Sequence, residues 1–283
     1  VGENPALSHP DINHVRESLN NLEFLVVQDI FLTETARLAH IVLPAASFAE
    51  KDGTFTSTER RVQRIRKAIE PIGDSKEDWR IIGELAERMG YKGLTYGSAR
   101  EIADEIASIT PIYGGITWDR LDDGGLQWPC WDPSHPGTQI LYEKDFSGGL
   151  GNFIPVDFQP PAEEPDEDYP ITLITGRLLF LFHTNTMTGK SPTLDIQAPE
   201  GYVEINPHDA KRQGITEGEQ VRVRSRRGEI EIKALITSVV PQGTIFIPFH
   251  FVESPVNVLT NPALDPKSKI AEVKICTVRV ERI

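Results

Sequence analysis

The stretch Tyr202-Val203-Glu204-Ile205-Asn206-Pro207-His208-Asp209-Ala210 decides the fold of the second half of the chain. Its first four residues alternate in the manner of a half-buried strand. Asn206 can cap a helix, Pro207 has no N–H to leave unsatisfied at the first helical position, and Asp209 sits in the first turn, where the helix dipole favours an anion. Gly214 supplies the left-handed residue that ends the helix. Further strands are expected over 171–175, 221–225, 229–237, 244–248 and 272–281, with Arg227-Gly228 as a hairpin turn. A strand, a short helix, a Gly turn and then a hairpin read as a small closed β-barrel with a helix wrapped into it.

Upstream the texture differs. Pro160 to Asp168 combines prolines with Glu163, Glu164, Asp166, Glu167 and Asp168, and reads as a solvated interdomain linker. Residues 111–160 are rich in Gly, Pro and aromatic residues, including Trp118, Trp128 and Trp131, as expected of an ordered wrapping loop. Two amphipathic helices precede it. One opens at Ser75-x-x-Asp78, with Trp79, Ile82, Leu85 and Met89 as its stripe and Gly90 as its end; the other opens at Ser98-x-x-Glu101, with Ile102, Ile106 and Ile109 on one face. Earlier still, Ile12, Val15, Leu19 and Leu22 recur at helical spacing, 24–27 reads as a strand, Thr33 can cap a helix over 34–40, and 41–43 is a second buried strand. Strand, helix and strand in so few residues suggest a parallel α/β sheet, part of a Rossmann-like domain. The organisation expected is a first domain over 1–110, a wrapping connector with its acidic linker over 111–168, and a second domain over 169–283.

Composition narrows the function classes. With 283 residues, 39% hydrophobic and 25% charged, the chain is long enough for two globular domains. A net charge of −13 argues against nucleic acid or an anionic membrane as the main partner. The longest apolar run, 178–182, falls far short of the roughly 18–20 residues of a membrane span. The chain opens at Val1 without a starting Met, so the lack of a signal peptide does not decide the compartment; the cytoplasm is expected and the periplasm stays open. Cys130 and Cys276 show no metal-ligand spacing, which leaves them as packing residues and the chain without a metal site of its own.

Candidate binding residues fall in four places. Gln28 and Asp29 stand where a strand gives way to a helix, the crevice in which α/β sheets bind nucleotides, although each also reads as a polar loop residue. Glu50-Lys51-Asp52-Gly53-Thr54-Phe55 to Glu59-Arg60-Arg61 offers hydroxyls and cations that could cradle phosphate, and taken alone reads as a charged surface turn. Thr175-Gly176-Arg177, running on to His183-Thr184-Asn185-Thr186-Met187-Thr188-Gly189-Lys190, gathers an Arg, a His, threonines and a Lys behind a strand; Gly176 would let a ligand approach and Arg177 would grip a diphosphate. Phe249, Asn257 and Lys274 could stack on and hydrogen-bond a purine or pterin ring. No GxSxG, HExxH or GxGxxG is present, so no catalytic residue is assigned.

These blocks carry a resemblance. Val26-Val27-Gln28-Asp29-Ile30-Phe31, Ala39-His40-Ile41-Val42-Leu43-Pro44, Glu50-Lys51-Asp52-Gly53-Thr54-Phe55, Glu59-Arg60-Arg61 and Asp78-Trp79 resemble the third domain of molybdopterin oxidoreductases of the DMSO reductase family. Thr175-Gly176-Arg177 to Met187-Thr188-Gly189, with Val203-Glu204-Ile205-Asn206-Pro207, resembles their C-terminal dinucleotide-binding domain. Gly2-Glu3-Asn4-Pro5, Leu126-Gln127-Trp128-Pro129-Cys130 and Lys274-Ile275-Cys276-Thr277 are most similar to formate dehydrogenase catalytic (alpha) subunits. The resemblance implies a Rossmann-like partial domain followed by a double-psi β-barrel, and a bis-molybdopterin guanine dinucleotide cofactor carrying molybdenum or tungsten. By matching position it implies dinucleotide contacts at Gln28, Asp29, Lys51, Asp78, Thr175, Gly176, Arg177, His183, Thr184, Phe249, Asn257 and Lys274. It further implies that the metal ligand and a 4Fe–4S cluster belong to N-terminal domains upstream, that this chain alone is inactive, and that electron-transfer subunits are partners. The corresponding part of a nitrate reductase, or a non-catalytic scaffold like the large iron–sulfur subunit of NADH dehydrogenase, stands as the alternative.

Overall fold

The computed structural model describes residues 1–146 and 148–283. In chain order it has helices α1 (Pro5–Ser8) and α2 (Ile12–Asn20), then strands β1 (Val26–Asp29), β2 (Ile41–Pro44), β3 (Gly53–Thr56) and β4 (Arg61–Ile65). Helices α3 (Asp78–Arg88) and α4 (Ala99–Ile109) and strands β5 (Leu126–Gln127) and β6 (Ile171–Gly176) come next. Helix α5 (Pro192–Asp195), strand β7 (Tyr202–Ile205), helix α6 (Pro207–Gln213) and strands β8 (Gln220–Arg224), β9 (Glu229–Ile236), β10 (Thr244–Pro248) and β11 (Ile275–Arg282) complete the order. These elements belong to two compact units that interleave along the sequence: Val1–Val27, Phe31–Val42 and Asp157–Ile283 form one, Gln28–Ile30 and Leu43–Val156 the other.

In the first unit the strands close a barrel in the order β10-β6-β11-β8-β9-β7. Strands β6 and β10, and β7 and β9, run parallel, and the remaining neighbours are antiparallel. Closure follows from the alternation: Leu173, Val203, Ile205, Val221, Val223, Ile245 and Ile247 are buried with essentially no exposure, while intervening residues face outward. The barrel is closed as expected and fits a double-psi barrel. Helix α6 starts and stops where the residues say. The Asn206 side chain accepts from His208 N–H at 3.0 Å, Pro207 opens the helix, and Gly214 takes φ +70°. Asp209, buried, also accepts from Gly243 N–H at 2.7 Å, which ties the helix to the turn before β10.

Three expectations are revised in this unit. Residues 1–27 group with the barrel, because Leu7 and Ile12 are buried in its core. The helix expected over 34–40 is a single 3-10 turn, Ala36–Leu38: Thr33 Oγ1 caps it by accepting from Ala36 N–H at 3.2 Å, but Ala39 is extended and the His40 N–H donates to the Leu25 carbonyl at 2.9 Å instead. Strands β1 and β2 pair as a two-stranded sheet with no α-helix between them. The acidic linker is held rather than solvated. Glu163 has a side chain only 15% exposed, ion-pairs with Arg227, and accepts from Thr277 N–H at 3.2 Å, and Asp166 pairs with Arg226. Burial pushes the Glu163 carboxyl up, but Arg227, the Thr277 N–H and Arg226 together hold it below the usual range.

The second unit has a three-stranded antiparallel sheet, β3-β4-β5, over a small core of Val62, Ile116, Leu121 and Cys130. Residues 126–127 of the expected connector are thus a strand, and Tyr113 and Trp128 pack against this core while Trp131 stays exposed. The turn from β3 to β4 is where a phosphate cradle was conceivable; instead Arg60 donates to the Trp128 and Gln139 carbonyls and Arg61 pairs with Glu59. Helix α4 is capped by Ser98, which accepts from Glu101 N–H at 3.3 Å. Helix α3 begins at Asp78 without a cap from Ser75. Neither helix buries a residue, so Leu85 (51% exposed) and Met89 (78%) leave its apolar stripe open.

Candidate functional site

In the second unit the first group of predicted residues converges on one carboxylate. Gln28, buried at the middle of β1, donates its amide to Asp78 Oδ1 at 2.7 Å. Lys51 Nζ pairs with Asp78 Oδ2. Residues distant in sequence are therefore brought together: Gln28 by a strand, Lys51 by the end of the capped turn Ser47–Glu50, Asp78 by the first turn of α3. Burial pushes the Asp78 carboxyl up, and the hydrogen bonds and charge of Lys51 and Gln28 more than reverse this, holding it below the usual carboxylate range. Asp29 follows Gln28 on β1, and its carbonyl accepts from Ala45 N–H at 3.0 Å.

In the barrel unit a second group gathers at the C-terminal end of β6. Thr175 is fixed by the turn that leads into β11: its N–H donates to the Lys274 carbonyl at 3.1 Å and its hydroxyl to the Val273 carbonyl at 2.6 Å. Gly176 is tightly packed, since a Cβ there would lie 2.6 Å from the Phe246 ring. Its carbonyl accepts from Phe249 N–H at 3.1 Å. Arg177 then points its guanidinium over the Phe249 ring, 5.6 Å from the centroid. Among the described residues it has no carboxylate or carbonyl partner. The Lys274 side chain is exposed beside the same strand end.

The chain from Leu178 to Lys190 folds into turns on hydroxyl groups. His183 (φ 48°) and Asn185 (φ 60°) both take left-handed backbone, uncommon for a residue with a Cβ. Thr188 Oγ1 accepts from Phe182 N–H at 3.1 Å and donates to Asn185 Oδ1 at 2.6 Å; Thr184 and Thr186 hydroxyls share a bond of 2.9 Å. The His183 ring meets Phe249 edge-on at 5.8 Å. A cleft of about 400 Å³ opens here, lined among others by Thr33, Arg37, Thr184, Thr186, Lys190 and Glu253. Arg37 and Lys190 add cations to it, and Lys190 lies 4.9 Å from the Phe31 ring.

Asn257 stands apart from this group in its bonding. Its side chain is buried and donates to the Leu7 and Ser8 carbonyls at 3.1 and 3.0 Å, so its amide hydrogens hold α1 rather than face a ring. One residue central to the loop was not assigned a role from the sequence: His250, fully buried, with a hydrogen bond on each ring nitrogen. A lone His beside Phe249 gives no local signal of such a role. Cys130 and Cys276 are free and buried, and burial pushes the Cys276 thiol up to about 12, as befits a packing residue.

The arrangement suits an anionic nucleotide. Arg177, without an acceptor among the described residues, offers a fork of N–H donors matched to a diphosphate, and Lys274 and Lys190 add charge. Over residues 171–277 the chain matches the molydopterin dinucleotide binding domain, and over 1–88 the molybdopterin oxidoreductase domain. The chain belongs to the molybdopterin oxidoreductase family.

Among its relatives is the "F420-dependent formate dehydrogenase subunit alpha" of Methanocaldococcus jannaschii, 54% identical over all of this chain and 42% of that protein. "Formate dehydrogenase H" of Escherichia coli is 38% identical over all of this chain and 40% of its own length. The chain thus spans about two fifths of these relatives. Among solved structures, acetylene hydratase from Pelobacter acetylenicus superposes with a TM-score of 0.73 at 19% identity, covering 100% of this chain and 44% of that one; the likeness is one of fold. Among the described residues no helix is long and apolar enough to cross a membrane.

Proposed function

We propose that this chain holds the guanine dinucleotide arms of a bis-molybdopterin cofactor as part of a formate dehydrogenase alpha subunit, which interconverts formate and CO₂. The observation that carries this is Arg177, a guanidinium braced on Phe249 at a strand end with no acceptor among the described residues. In this reading Arg177, Lys274, Thr184, His183 and Phe249 receive one dinucleotide arm, and Thr175 and Gly176 present its strand end. Asn257 contributes by fixing α1. Gln28, Asp29, Lys51 and Asp78 receive the other arm, Asp78 being kept ionised to accept hydrogen bonds from a guanine edge. Strands β1 and β2 are read as the closing piece of a Rossmann-like domain. As blocks of sequence, a first domain over 1–110, a connector over 111–168 and a second domain over 169–283 are consistent with family matches over 1–88 and 171–277.

When bound, the metal carried by the pterins, molybdenum or tungsten, supplies the redox chemistry. This chain's residues bind and orient the dinucleotide ends, and its barrel supplies a rigid frame for them. The metal ligand, a 4Fe–4S cluster and contacts to electron-transfer subunits are assigned to other parts of the subunit, and the cytoplasm is the compartment proposed. The names of the relatives favour a formate dehydrogenase over a nitrate reductase or a scaffold. The test is pterin and metal analysis of the complete subunit, together with formate-dependent dye reduction. Stoichiometric guanine-containing pterin with formate-dependent reduction is expected. A complete subunit that carries no pterin would contradict the proposal.

A further inference from the structure

We infer that His250 is a positioning residue for the dinucleotide loop, its neutral imidazole tying the Arg177 end of that loop to the His183 end. The inference rests on the function proposed above. The residue is 0% exposed, and its ring lies tilted against Phe249, 4.6 Å between centroids, the same ring that braces Arg177. Leu178 N–H, next to Arg177, donates to His250 Nε2 at 2.8 Å, so that nitrogen must be unprotonated. The proton is then on Nδ1, which faces the His183 carbonyl as its acceptor. One side chain therefore closes the loop from both sides, and the hydrogen bond at His183 holds that residue in its left-handed conformation.

Because the tie needs an unprotonated Nε2, it is sensitive to acid. A proton there would set N–H against the Leu178 N–H. Burial pushes the imidazole below the ordinary histidine range; the His183 carbonyl opposes this, and the charges of Arg177 and His183 reinforce it. The other charged residues of the cleft that His250 also lines are Glu34 and Arg37 from the segment after β1, Lys190 from the loop, and Glu253 beyond β10. The direction sets the window. With a folded value below the ordinary one of about 6.5, the neutral tie is fully present above about pH 6.5 and is lost as pH falls through the depressed folded value.

The experiment uses the complete, cofactor-loaded subunit. Pterin retained after gel filtration is read by fluorescence on release, between about pH 5 and pH 8. Wild-type retention should weaken as pH falls through the depressed imidazole value, by about tenfold when the tie is fully lost, the effect of losing one buried hydrogen bond. His250→Gln, whose amide oxygen can accept from Leu178 N–H but cannot titrate, should hold pterin at neutral pH and lose this acid dependence. His250→Leu should retain less at every pH. Imidazole ¹⁵N shifts at neutral pH should show the Nδ1–H tautomer. A His250→Gln variant with the wild-type pH profile, or an Nε2–H tautomer, overturns this inference alone. Absence of pterin from the wild-type protein at neutral pH overturns the proposed function and this inference with it.

Discussion

In the second unit, Asp78 receives both Gln28 and Lys51, so the polar group is closed on itself; in the barrel unit, Arg177 lies across Phe249 with no acceptor among the described residues. The two regions also differ in what supports them. The barrel has a continuous core from Leu7 to Val280, whereas, among the described residues, the core cluster of the second unit is only Val62, Ile116, Leu121 and Cys130, and its two helices bury no residue. A rigid frame can hold a cation in place without a counter-charge, ready for a ligand's anion. Where the frame is slight, the ion pair itself joins strand, turn and helix. An unsatisfied cation on a stiff scaffold is therefore the stronger sign of a ligand, and a satisfied pair has a structural part to explain first.

The largest effect should separate the two cores. Leu173→Ala, inside the barrel, should lower unfolding stability by about 3 kcal/mol, and Val62→Ala by no more than about 2 kcal/mol, measured by urea titration. A larger loss at Val62 would reverse the ranking of the two frames. Next comes the closed polar group. Asp78→Asn should cost about 1 kcal/mol near neutral pH, as Lys51 loses its counter-charge at a partly exposed site. Because the folded carboxyl titrates below its ordinary value of about 3.9, its contribution is present above that pH and disappears as pH falls through the folded value. Stability curves of wild type and variant should therefore converge in acid; a constant gap would show that the charge is not what holds the group together.

The smallest effect concerns the strap over 160–168. Glu163 and Asp166 pin it to Arg227 and Arg226, while Leu150, Phe153, Ile154 and Val156 are exposed in a stretch without regular structure. Limited proteolysis should cut within 149–158 before 160–168, and Glu163→Gln should raise cleavage of the strap a few-fold. Equal cleavage of the strap in both proteins would show that the ion pair does not restrain it.

The sequence made the barrel readable because each of its signals is local. Asn206, Pro207 and Gly214 mark a helix within one short run of neighbouring positions, and the Val221–Val223 and Ile230–Ile232 alternations give their own inward faces. Less was legible where long-range contacts decide. Thr33 does cap a turn, but pairing of His40 with Leu25 ends it. The acidic residues at 160–168 look solvated until Arg226 and Arg227 are brought beside them by the β8–β9 hairpin. For the site, residue types pointed to Gln28 and Lys51 and the family resemblance to Asp78, and folding does bring these together; Asn257 had the chemistry for a base, yet its amide donates to α1. His250 escaped notice because its importance lies in two backbone groups of a distant loop.

The most direct test of the account is the pterin content of the complete subunit with Arg177→Ala. Loss of a charge-assisted contact to a diphosphate should lower cofactor retention about tenfold, while the unfolding midpoint of the apo-protein stays close to the wild-type value because Arg177's contact among the described residues is a single cation–π approach to Phe249. Unchanged pterin content in Arg177→Ala would contradict the claim that this strand end grips the dinucleotide.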